Sequence, residues 1–149
     1  MLPQAPESLR ETGPIRMSPL LRAPIYVIFG ALWFSGCFWL GLHFLFEPVG
    51  EFGRVPHPAE HGLMVVHGAV AVAGVFLLGW MTAAHVVERW RRGRRLWSGI
   101  PVAAVGGLLV VSGYLLYYSI DRLHEMASAV HEVLGAVGIV LALIHWRGR

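Results

Sequence analysis

Four apolar stretches dominate the chain, at residues 24–46, 59–87, 96–119 and 123–146. Each is long enough to cross a bilayer as a helix, which takes roughly 20 apolar residues. The second stretch exceeds that minimum, which predicts tilt or protrusion. Polar residues collect between the stretches. They form a Gly- and Pro-rich loop, EPVGEFGRVPHP, an arginine-dense loop, ERWRRGRR, and a tight turn at residues 120–122. Connections this short predict an all-α, four-span transmembrane up-down helix bundle. Pro24 suits a first helical turn and Asp121 the N-cap of the last helix. Residues 1–23 carry Pro3, Pro6, Pro14 and Pro19, include acidic residues and lack an apolar core. They read as a loose cytoplasmic tail able to dock on a partner, not as a signal peptide.

Charge orients this bundle. Every basic residue other than histidine is arginine. Arg10, Arg16, Arg22, Arg89, Arg91, Arg92, Arg94, Arg95, Arg147 and Arg149 fall on one side, and Arg54 and Arg122 on the other. By the positive-inside rule both termini and the loop between spans two and three are cytoplasmic. The formal charge of +3 therefore reflects topology and anionic lipid rather than nucleic acid. Only 14% of the residues are charged and 56% are hydrophobic, as expected of one small polytopic unit. Cys37 is the only cysteine, which excludes an internal disulfide, a cysteine-held iron–sulfur cluster and C-x-x-C-H haem attachment.

The histidines follow the helical period. His124, His131 and His145 are separated by seven and then fourteen residues, with Gly138 midway between the last two. Steps of seven return to nearly the same helix face, and His131 and His145 lie about 21 Å apart along it. Imidazoles in hydrocarbon are costly and mark function by default. Two on one face, with a glycine between them that admits a flat group, point to stacked haem sites. In span two, His67 and His85 are eighteen residues apart, five full turns of a regular helix. Gly68 and Gly74 thin the backbone around His67. His67 and His131 lie two turns inside the outer face, and His85 and His145 lie at the cytoplasmic end. The simplest pairing joins His67 with His131 at an outer haem and His85 with His145 at an inner one. Met81, fourteen after His67, is the alternative to His85, since methionine opposite histidine also ligates haem.

With these residues in place, the chain resembles the four-helix, di-haem cytochrome b membrane subunits of respiratory chains, including those of formate dehydrogenases and hydrogenases. The resemblance covers residues 24–146 and rests on His131 and His145 on the last helix and opposed histidines earlier. In the formate dehydrogenase-like members the inner partner comes from the cytoplasmic end of helix one. Residues 24–30 here contain no histidine, so His85 on helix two takes that role. That arrangement is similar to the cytochrome b of quinol-oxidising complexes, whose ligands stand on helices two and four at a shorter helix-two spacing. The resemblance implies two b-type haems, a quinone or quinol, a partner redox subunit, and a bacterial inner membrane. Any reaction would be quinone-linked and would take place beside a haem.

The remaining polar residues have supporting roles in this reading. Arg122 is placed to meet outer propionates, and Arg89 or Arg92 inner ones. Glu132, the carboxylate buried deepest by sequence position, and His61, His124 and His43 are candidates for proton transfer or a quinone pocket. Two rival readings are a histidine-based metal-ion or proton transporter and a structural assembly subunit whose histidines only pack. Scarce cysteine, and no inward carboxylate beside the mid-membrane histidines, weigh against the transporter.

Overall fold

A computed structural model of the chain describes residues 19–46, 49–87 and 99–147. Four helices carry the fold: α1 (Pro19–Leu45), α2 (Pro58–Met81), α3 (Gly99–Tyr118) and α4 (Asp121–Arg147). All four are long and apolar enough to cross a membrane, and the protein is an all-α helix bundle of the membrane. The α1–α2 connection contains a two-residue antiparallel ladder, β1 (Val49–Gly50) with β2 (Gly53–Arg54). Gly53 turns it with a φ of 110°, a conformation that glycine adopts without a Cβ penalty. The chain reverses between α3 and α4 at Asp121, whose φ of 53° lies in the left-handed region that Asp tolerates better than most residues.

Two differences from the sequence reading concern helix ends. Helix α1 begins at Pro19, so Pro24 lies inside it and residues 19–23 are helical rather than tail. The rest of that tail, the arginine-dense loop with Arg89 and Arg92, and the start of the third stretch lie outside the described residues. Helix α2 changes pitch at its end. Thr82–Val86 form a π turn, in which the Val87 N–H bonds to the Thr82 carbonyl, and the Thr82 hydroxyl donates to the Leu78 carbonyl at 2.8 Å.

The bundle is two hairpins. Helix α1 packs along α2 and α3 along α4, whereas the hairpins meet along a much thinner seam of α2 against α3. Glycines let the paired helices approach. Gly74 of α2 faces Leu32 and Ile28 of α1, and Gly138 of α4 faces Val105 and Leu109 of α3. The outer surface carries large apolar side chains such as Phe34, Phe38, Phe76, Val111 and Val140, which suit contact with lipid chains. Few side chains are buried by protein alone, and those few include Ser35, Ser112 and Glu60. In such a structure the buried polar groups are the informative ones.

Candidate functional site

The two hairpins bring one histidine each to the same place. The rings of His67 and His131 stand with centres 6.3 Å apart and planes at 77°. Each is held by a serine on the other helix of its own hairpin. His67 Nδ1 lies 2.8 Å from Ser35 Oγ, and His131 Nδ1 lies 2.8 Å from Ser112 Oγ. The serine hydroxyls also reach carbonyls behind them: Ser35 Oγ lies 2.7 Å from Ala31 O and 3.1 Å from Leu32 O, and Ser112 Oγ lies 3.2 Å from Leu109 O. A hydroxyl has one proton to give, and a carbonyl can only accept it. With the serine proton given to the backbone carbonyl, a geometry these contacts allow, the imidazole Nδ1–H donates to Oγ. That tautomer leaves Nε2 of each ring with its lone pair, the arrangement that metal-ligating histidines adopt through a partner on the other nitrogen.

A glycine follows each serine and lies under the ring. A Cβ at Gly36 would stand 3.5 Å from His67 Cε1, and a Cβ at Gly113 would stand 3.5 Å from His131 Cε1. The same relation recurs deeper in the second hairpin, where a Cβ at Gly99 would stand 3.6 Å from His145 Cε1. Gly99 and Gly113 are fourteen residues apart on α3, as are His131 and His145 on α4. The stripe of His131, Gly138 and His145 thus runs along α3 in antiparallel register, in seven-residue steps. At Gly138 the approaching groups are Val105 and Leu109, and at Gly74 they are Leu32 and Ile28. Both glycines serve the packing within their hairpins.

Helix α2 is staggered against this stripe. Leu78, eleven residues after His67, reaches the Cβ position of Gly106 at 3.2 Å. On α4 the residue facing that part of α3 is Gly138, only seven after His131. From that level His85 on α2 and His145 on α4 are each seven residues further on. The π turn that contains His85 packs an extra residue into its turn and so reduces the rise there. Met81, the last residue of α2 before this turn, is half-buried.

The end of the first hairpin at the α1–α2 connection, the outer end in the orientation expected from the arginines, holds a second polar cluster. Glu60 is only 8% exposed and is the one buried charged residue among those described. Its Oε1 accepts the His57 backbone N–H at 2.9 Å, and its Oε2 lies 3.2 Å from His43 Nδ1 of α1. His43 stacks on Trp39 with ring centres 4.4 Å apart. His57 caps α2 by accepting the Ala59 N–H at its Nδ1, so His57 and Glu60 form a capping box. Glu132, expected from the sequence to be the most buried carboxylate, is half-buried and accepts from Ser128 Oγ at 3.0 Å. The difference arises because Glu60 is covered by α1, while Glu132 stands one residue off the stripe that faces α3. His61, Arg122 and His124 are exposed.

The structure brings His67 and His131 together and sets His145 over Gly99, while Ser35, Ser112 and the buried state of Glu60 lay outside the sequence reading. One signal was available. The dipeptide Ser-Gly stands at 35–36 and 112–113, and the structure puts each against a histidine of the neighbouring helix. No protein family, curated protein or solved structure matches the chain.

Proposed function

We propose that the protein is a membrane di-haem cytochrome of the b type that transfers electrons across the bilayer between quinone or quinol and a partner redox subunit. The observation that carries this reading is the His67–His131 pair. The ring centres here are 6.3 Å apart, and both Nδ1 atoms are engaged elsewhere. An edge-to-face packing pair stands at that distance too, but it needs no matched serine behind each ring. The donor set fits bis-imidazole haem ligation.

In this reading His67 and His131 hold the outer haem, and His85 and His145 the inner one, with Met81 the alternative to His85. Bound haem supplies reversible one-electron chemistry, with no open iron position under bis-imidazole ligation. Ser35 and Ser112 keep the Nδ1 protons in place and aim the rings. Both termini on the cytoplasmic side of a bacterial inner membrane, and propionate contacts by Arg122 and Arg89, belong to the same proposal. A transporter reading has less support, because no group of three or more metal-binding side chains occurs among the described residues. The test is extraction and counting of haem from the purified protein, with its reduced and oxidised visible spectra. About two non-covalent haems per chain with low-spin spectra are expected, and a haem-free protein would refute the proposal.

A further inference from the structure

The connection between α1 and α2 carries apolar side chains that the fold does not use. Phe52, at the turn of the β1–β2 ladder, is 99% exposed, and Val49 is 88% exposed. The ladder holds them in place. Gly50 pairs with Gly53, Gly53 turns the chain at positive φ, and the Val55 side chain lies over Gly50 and leaves no room there for a Cβ. A two-stranded ladder on its own is marginal in water. A ring this exposed adds nothing to the packing of the chain, so its contribution lies in a contact outside the chain.

We propose that this ladder is an anchor in the membrane interface, with Phe52 inserted at the boundary between headgroups and acyl chains in the leaflet on the side of the α1–α2 connection. The ladder continues a surface already turned to lipid. Helix α1 ends in exposed Phe44 and Leu45, and exposed Phe46 leads on towards Val49. Its reach also suits the interface. Both flanking helices are long and apolar enough to span the membrane, so the connection starts and ends at the bilayer surface. Each arm of the ladder, three residues at about 3.4 Å apiece, extends about 10 Å. The headgroup layer is about 5–8 Å thick on each side, so a ladder lying along the surface sits within it.

The available area favours lipid over a protein partner. A stable protein interface buries about 800 Å² on each side. Phe52 offers about 200 Å², and the two valines beside it do not close the gap. The same end of the bundle carries exposed Tyr117 and Tyr118 at the close of α3, with ring centres 5.5 Å apart. Amphipathic rings at helix ends mark the level of the headgroups. Glu51, the one acid of the ladder, is exposed and stays in the headgroup water.

The test is nitroxide labelling of the full-length protein in vesicles of phosphatidylcholine and phosphatidylglycerol, read by power-saturation electron paramagnetic resonance with oxygen and a water-soluble nickel chelate as relaxants. Cys37, exposed on α1 within the span, takes the label in the wild type and gives the apolar reference. In a Cys37→Ser background, a label at Phe52→Cys should show an oxygen-to-nickel accessibility ratio several-fold above that at Glu51→Cys and approaching that at Cys37. A label at Val49→Cys should become several-fold more accessible to nickel when Phe52→Ser is added, because the ladder loses its anchor. Equal ratios at 51 and 52, or no change at 49 on adding Phe52→Ser, overturn the proposal and leave the tip in water, open to a soluble partner. The readout is independent of haem content, so the haem reading stands or falls separately.

Discussion

The two hairpins solve the same problem with the same parts and then diverge at their ends. In each, a serine on the first helix is hydrogen-bonded to Nδ1 of a histidine on the second, and the next residue, a glycine, makes room for the ring. In each, a glycine seven residues deeper lets the neighbouring helix close in. The second hairpin then repeats its histidine over a further glycine, His145 over Gly99, within an unbroken α-helix. The first hairpin instead runs into a π turn. At the outer end the asymmetry reverses. The first hairpin is tied by His43 and Glu60, while the second has a tight turn with exposed Arg122, His124 and Glu125. The matched middle is the part that the proposed haem would share between the hairpins, and the ends are where the two hairpins differ in structure.

The largest effects should come from breaking the matched middle. His67→Ala and His131→Ala should each cut the haem content from about two per chain to about one. Both should lose the same spectral component, since the two rings face one site. Loss of different components would mean that the rings serve separate sites. The unmatched inner end gives a contrast of comparable size. His145→Ala and His85→Ala should remove the other component, while Met81→Leu should leave it in place. Low-temperature electron paramagnetic resonance reads both results, and loss on Met81→Leu alone would move the inner ligand to the sulfur.

The serines come next. Ser35→Ala and Ser112→Ala leave the ring without its acceptor but keep Nε2, so haem binding should weaken rather than vanish. Loss of such a partner typically costs about 10–100-fold in metal affinity. Equal weakening by the two substitutions, measured by titrating haem into the apoprotein, would show that the hairpins contribute alike. An effect from one alone would break the symmetry.

The glycines separate the hairpins by packing. A Cβ at Gly74 would lie 2.9 Å from Leu32 Cδ1, whereas one at Gly138 would lie 3.4 Å from Val105 Cγ1. Leu32 has to shift to admit that Cβ, so Gly74→Ala should lose by overpacking the ~1 kcal/mol that alanine otherwise gains over glycine in a helix, and somewhat more. Gly138→Ala should cost less. Thermal unfolding in detergent orders the two, and a reversed order would mean that the α1–α2 contact is the more yielding one.

These contrasts also show why some of the molecule was legible in the sequence and some was not. The four spans are written as apolar runs, because lipid demands them along the whole length of a helix. The histidine stripe of α4 is legible because a seven-residue step survives in any straight helix, and α4 is straight enough to keep it. The relation between His67 and His85 was harder to read. A spacing of eighteen assumes an uninterrupted α-helix, and the π turn replaces that pitch with another. Ser35 and Ser112 stayed hidden because a membrane serine that bonds its own backbone looks the same in sequence as one that also holds a ligand. The burial of Glu60 depended on α1 folding over it, which no local pattern along α2 could state.

The smallest expected effect tests the outer ends. His43→Ala removes one hydrogen bond to a buried carboxylate, one stack on Trp39 and one edge contact with Phe44, and His43 itself stays partly wet. A hydrogen bond to a charged group is worth about 1.5–3 kcal/mol at most, and partial exposure of His43 reduces that toward about 1 kcal/mol. The second hairpin has no such tie, so His124→Ala, at the corresponding level of α4, should stay within about 0.5 kcal/mol of wild type. A double-mutant cycle with Glu60→Gln separates the pair energy from the cost of uncapping α2, since His57 still caps through its own ring. Coupling between positions 43 and 60 should account for most of the His43→Ala loss. If the two substitutions add without coupling, the His43 effect comes from its ring contacts with Trp39 and Phe44, and the first hairpin is held at its outer end by ring packing rather than by charge.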